Sequence, residues 1–307
     1  MGLRAKPLSL AKNLKIGLRP VLWYGGVMKR VYLVPNIITA FSLACGLFVI
    51  FKVNMIEPGA GDYEVVYASA LLLLVAAIAD FLDGAVARVF HAESEFGFVF
   101  DSLADAISFG VAPSVLLLKT LSLEQGTFLS FFSTTGAMIY SLCGVLRLVR
   151  FNVKTAEAKG NEALEKAHKK HFTGLPIPAG AAAAVSANLF FLSPLVKPWV
   201  DMTVASRSIL LASLMIALGY LMVCRLKFPS LKSLHFRIPS FRWVFLTGVL
   251  AVFVLYGILY FFPLILAFVA WSYIAVALIL TVIRLIAGKK SKTLEDFEPE
   301  PDDFEHG

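Results

Sequence analysis

Eight apolar runs dominate the chain, near residues 32–53, 64–89, 97–119, 127–150, 175–196, 206–225, 242–262 and 264–287. A helix needs roughly 20 predominantly apolar residues to cross a bilayer, and each run is about that long. The pattern therefore predicts an all-α integral membrane protein, a polytopic bundle of about eight transmembrane helices. The polar residues between the runs are sorted by charge. Lys154, Lys159, Lys166, Lys169 and Lys170 crowd the 151–174 connection, and Arg225, Lys227, Lys232, Arg237 and Arg242 crowd the 225–242 connection. The stretch from Asn54 to Tyr63 carries Glu57 and Asp62 without a base, Ser122 to Gly126 carries Glu124, and Phe261 to Pro263 is only a tight turn. Short cytoplasmic loops are enriched in Lys and Arg, so the basic connections, and with them both termini, are expected in the cytoplasm. Arg284, Lys289, Lys290 and Lys292 agree for the C-terminus, and the last two runs also fit a re-entrant hairpin.

Four segments follow: a basic juxtamembrane stretch at 1–30, a six-helix core at 31–225, an added two-helix hairpin at 226–288 and an acidic tail at 289–307. Residues 1–30 alternate bases with Leu, Ile, Val and Trp23, as an interfacial amphipathic helix does, although a disordered basic tail has the same composition. The first apolar run is too long for a signal-peptide core and lacks a small-residue cleavage site, so it is expected to be retained. Residues 151–174 read as a short polar connector helix, and Glu295 to Glu305 as disordered. The chain shows no internal repeat or separate soluble domain.

Composition sharpens this picture. Residues are 58% hydrophobic and 16% charged, and the formal charge of +7 is split between basic loops and an acidic tail. That split fits a membrane surface and argues against nucleic acid. Cys45, Cys143 and Cys224 are odd in number and lack metal-ligand spacing, so reduced, buried thiols are expected.

Against this apolar background, Asp80, Asp83, Asp101 and Asp105 stand out. Ionisable groups inside a membrane span are costly and mark function by default. At 3.6 residues per turn, Asp83, Gly84, Ala87 and Arg88 all fall within about 80° of Asp80, giving the second span one polar face. On the third span Gly97, Asp101, Asp105 and Ser108 repeat the device at i, i+4, i+8 and i+11, with successive acids about 6 Å apart. The two spans are antiparallel and joined by a short turn, so the four acids can meet near the cytoplasmic side. Oxygen-only ligation by clustered carboxylates suits Mg²⁺, Mn²⁺ or Ca²⁺ rather than zinc. Two such cations would offset the accumulated charge and stabilise attacking and leaving oxygens in a phosphoryl displacement. Pairing with Arg88 alone would satisfy one or two of the acids.

The pattern D-x2-D-G-x2-A-R-x8-G-x3-D-x3-D, filled by Asp80, Asp83, Gly84, Ala87, Arg88, Gly97, Asp101 and Asp105, resembles the signature of CDP-alcohol phosphotransferases. The resemblance implies two divalent metals held by the four aspartates, with the diphosphate of a CDP-linked lipid bound to them. It assigns Asp80, Asp83 and Asp101 chiefly as ligands and Asp105 as ligand and general base. Gly84, Ala87 and Gly97 would admit the nucleotide close to helix backbone, or simply pack helices. Arg88 would hold a carboxylate, touch phosphate or snorkel to the interface. Asn36 and Thr39, after Pro35 on the first span, share a face and are positioned to bond the nucleotide or to cap their helix.

Four flanking strings, VPNIITAFSLACGLF at 34–48, SFGVAPS at 108–114, RLVRFN at 147–152 and FTGLPIPAG at 172–180, are similar to the phosphatidylserine synthases of that family. This implies CDP-diacylglycerol as donor, L-serine as acceptor, CMP as product and a homodimer. Serine's carboxylate wants a guanidinium, and Arg147 and Arg150 stand at i and i+3 on the inner end of the fourth span, with Ser108 on the acid face of the third. The arginines also suit lipid phosphate or a positive-inside anchor. Pro176 and Pro178 are expected to set the start of the fifth span. Tyr140 and the other aromatic residues are read as core or lipid-facing. The alternatives are a different acceptor such as glycerol 3-phosphate or inositol, a divalent-cation transporter, and a noncatalytic lipid-binding homologue. A transporter would spread its acids across the membrane depth, whereas these cluster near one face.

Overall fold

Long apolar runs with few breakers give helices, and the computed structural model places them as α1 (Leu33–Asn54), α2 (Tyr63–Val89), α3 (Glu95–Asp105), α4 (Ala112–Leu121), α5 (Phe128–Ala158), α6 (Ile177–Leu192), α7 (Val204–Val223) and α8 (Tyr260–Thr281). The structure describes residues 33–56, 63–90, 94–121, 123–158, 172–200, 202–224, 227–228, 260–281 and 283. The juxtamembrane stretch, most of the 151–174 and 225–242 connections, nearly all of the 242–262 run and the acidic tail lie outside them. Among the described residues, six helices are long and apolar enough to cross a membrane, α3 and α4 counting as one, and the 16-residue α6 is a shorter apolar helix. The chain is an all-α polytopic integral membrane protein.

Three details depart from the sequence pattern. The third span is not a continuous α-helix, because Ala106–Val111 forms a π-helical turn between α3 and α4. Such a turn shifts the helix phase and disturbs the regular i→i−4 ladder. Tyr140 Oη donates to the carbonyl of Phe109 (3.0 Å) and Ser141 Oγ to that of Gly110 (2.9 Å). Tyr140 is thus core, and it serves the turn that follows Asp105. Second, α5 continues beyond residue 150 through Lys154 to Ala158. Third, a two-residue antiparallel ladder pairs Phe172–Thr173 (β1) with Lys227–Phe228 (β2), a small addition to the helical class. Of the cysteines, only Cys45 is buried; Cys143 and Cys224 are half-buried.

Between helices in lipid, close van der Waals packing replaces the hydrophobic drive. At the α5–α7 seam a side chain on Gly136 would place its Cβ 2.8 Å from the Ala212 carbonyl oxygen, so only glycine lets the backbones meet there. Pro176 caps the start of α6 and Pro178 lies in its first turn. A core of Phe109, Leu117, Tyr140, Ile177, Leu211 and Met215 ties α4 to α7 together, and α8 adds Ala270, Ile274 and Ala277 to it.

Candidate active site

Helix geometry brings three of the four acids together at one end of the bundle. Ser94 caps α3, its Oγ accepting from the Gly97 backbone N–H at 3.0 Å, so the helix starts in time to present Asp101 and Asp105 on one face. One carboxylate oxygen from each of Asp80, Asp101 and Asp105 lies within 4.8 Å of the others. At an effective dielectric near 20, like charges at such a distance repel by roughly 3 kcal/mol per pair. The cluster therefore needs counter-charge. Asp101 Oδ1 and Asp105 Oδ1 are buried and have no hydrogen-bond partner among the described residues. Oxygen-only donors with unused lone pairs fit a hard divalent cation.

Asp83 is placed differently. It is buried, and its Oδ2 accepts a 2.5 Å hydrogen bond from Thr39 Oγ1, which also approaches the Pro35 carbonyl at 3.1 Å. It remains an electrostatic neighbour of Asp80, Asp101 and Asp105. Thr39 thus faces a carboxylate rather than open space. Asn36 sits one turn earlier on α1, its Oδ1 3.0 Å from where a Cβ on Gly97 would lie, so Gly97 lets the Asn36 amide close on α3. Gly84 shows the opposite environment. Among the described residues, a Cβ there would meet only the guanidinium of Arg88, 3.6 Å away. Nothing among the described residues covers the face carrying Gly84, Ala87 and Arg88, and Arg88 lies in electrostatic range of Asp83.

The remaining expected residues separate. Ser108 is fully buried, bonds the Ser42 carbonyl at 3.3 Å and packs tightly over Gly46. It lies in the π turn, out of phase with the acid face predicted for a regular helix, and seals α1 against the third span. Arg150 Nη1 donates to the Val223 carbonyl at 3.1 Å and so closes the C-terminus of α7. Arg147, one turn away, is an electrostatic neighbour of Asp105, and its buried Nε has no acceptor among the described residues. Two contributors were not singled out by sequence. Tyr273 of α8 is the second electrostatic neighbour of Arg147. Ser102 Oγ pairs with Asn152 Oδ1 at 3.1 Å and holds α3 against α5 beside the acids.

Residues 32–225 match the CDP-alcohol phosphatidyltransferase family. The chain belongs to that family. This phosphatidyltransferase is 32% identical over 210 residues to a Helicobacter pylori CDP-diacylglycerol–serine O-phosphatidyltransferase, covering 68% of this chain and 77% of the relative. It is 32% identical over 199 residues to the Bacillus subtilis protein of that name, covering 65% and 91%. With the Methanocaldococcus jannaschii protein of that name it is 33% identical over 177 residues, covering 58% and 71%. The chain is a membrane transferase enzyme of phospholipid biosynthesis. The matched segment contains every acid of the cluster, and α8 lies beyond it.

Proposed function

We propose that this transferase moves the phosphatidyl group from CDP-diacylglycerol to the hydroxyl of L-serine, forming phosphatidylserine and CMP. The observation that carries the reading is the convergence of Asp80, Asp101 and Asp105 beside Arg147, whose Nε has no acceptor among the described residues. The names of the relatives support serine as the acceptor. Asp80, Asp101 and Asp105, with Asp83 alongside, would hold two divalent cations, Mg²⁺ or Mn²⁺, which supply positive charge against the diphosphate.

In the reaction the serine oxygen attacks the phosphorus that bears diacylglycerol. The bond from that phosphorus to the bridging oxygen breaks, and CMP leaves with the electron pair. The hydroxyl proton passes to Asp105, whose Oδ1 has no other hydrogen-bond partner among the described residues. Arg147 orients serine by its carboxylate, a planar pairing that a guanidinium makes well. The open Gly84–Ala87–Arg88 face receives the nucleotide, and Asn36 and Thr39 shape its border. The basic residues of the connecting loops support a cytoplasmic position for this end of the bundle, and the family likeness supports a homodimer.

The test is CMP release from CDP-diacylglycerol by the purified protein with Mg²⁺ or Mn²⁺ and serine, glycerol 3-phosphate or inositol. Release that depends on serine is expected. Release with another acceptor and none with serine would move the assignment elsewhere in the family, because Arg147 could equally bind a phosphate.

A further inference from the structure

The end of the bundle opposite the acids holds an arginine tied into the interior. Arg207, in the first turn of α7, donates from Nη2 to the Thr120 carbonyl at 3.0 Å, in the last turn of α4. Asn188 of α6 donates from Nδ2 to Thr120 Oγ1 at 2.9 Å, and that hydroxyl donates to the Leu117 carbonyl at 2.9 Å. Thr120 and Asn188 are 3% and 1% exposed, so Arg207 is held by a buried framework. Capping a helix C-terminus uses one of its five donors. Its Nε is buried without an acceptor among the described residues, and the residue remains partly exposed.

One and two turns further along the same face of α7, Leu210 and Leu214 line a groove of about 620 Å³. Phe190 of α6 and Leu264, Phe268 and Trp271 of α8 also line it, and every described residue that lines it is apolar. Its depth in the membrane follows from α8. Phe262 meets Tyr67 edge-on at 5.2 Å, and Tyr67 precedes Asp80 by about 20 Å along α2. The groove thus begins at the end remote from the acids.

We propose that Arg207 and this groove form a binding site for one phospholipid of the leaflet opposite the acid cluster. A wholly apolar lining of this size accepts a hydrocarbon chain. A guanidinium on the same helix face binds the phosphate at the head of that chain, a group that neither diacylglycerol nor a fatty alcohol offers. The site is independent of the transfer chemistry, because a donor lipid with its diphosphate at the acids occupies the other leaflet. It also gives α8, which lies beyond the family match, a ligand shared with α6 and α7.

The test reads the quenching of Trp271, taken as the fluorescence difference between the purified full chain and Trp271→Phe, on addition of phosphatidylglycerol with dibrominated acyl chains. Saturable quenching is expected. Arg207→Gln should raise the half-quenching concentration of the phospholipid about tenfold, the loss of one charge-assisted hydrogen bond, and leave that of dibrominated diacylglycerol unchanged. Arg207→Lys keeps the charge and loses the planar fork, so it should fall between wild type and the Gln variant, and it stands in for that variant if the latter does not fold. Ala267→Phe, which fills the groove, should abolish quenching by both lipids. Two results would each overturn the site: no saturable quenching, or a phospholipid half-quenching concentration unchanged in both Arg207 variants.

Discussion

Two glycine faces in this bundle look alike in sequence and differ in what stands opposite them. At Gly136 the backbone of α7 fills the space, and an added Cβ would lie 2.8 Å from the Ala212 carbonyl oxygen. At Gly84 the nearest atoms are those of the neighbouring Arg88 side chain, at 3.6 Å. The first glycine joins two helices, and the second leaves room beside three clustered carboxylates. Absent side chains thus serve packing in one region and, under the proposed function, nucleotide access in the other.

The largest effect that tests this contrast is on the chemistry at the open face. Asp105→Asn should lower kcat by about 10²–10⁴, the usual contribution of a positioned base, with an unchanged helical circular-dichroism spectrum; near-wild-type turnover would remove its assigned role. Next come the glycines themselves. Gly136→Val should destabilise the protein by about 1–3 kcal/mol, as overpacking does, seen as a lower thermal midpoint. Gly84→Ala should leave that midpoint in place and raise KM for the CDP-lipid; the reverse pattern would dissolve the distinction. The smallest effect separates two arginines one turn apart. Arg147→Gln should raise KM for serine about tenfold or more, whereas Arg150→Gln should cost about 1 kcal/mol of stability and leave KM for serine within about twofold.

Much of the acid site was legible because helical periodicity is local. Asp80 with Asp83 and Asp101 with Asp105 lie about a turn from each other, and short connections make the two helices antiparallel neighbours. The rest depends on partners distant in the chain. The π turn after Asp105 is held by Tyr140 and Ser141, which each lie 31 residues beyond the carbonyl they bond, and it removes Ser108 from the acid face. Asp83 turns to Thr39, 44 residues away. Arg147 and Arg150 share a helix end and a charge, and only the positions of Val223 and Asp105 distinguish them. Tyr273 reaches Arg147 from a helix outside the matched family segment, where no motif pointed to it.

The most direct measurement is Mn²⁺ binding to the purified full chain, followed by electron paramagnetic resonance in the absence of substrate. If the clustered carboxylates are the cation seat, wild type should bind Mn²⁺ with saturation, and Asp101→Asn should lose most of that binding while remaining folded. Equal binding by both proteins would contradict the assignment of Asp80, Asp101 and Asp105 as the metal site.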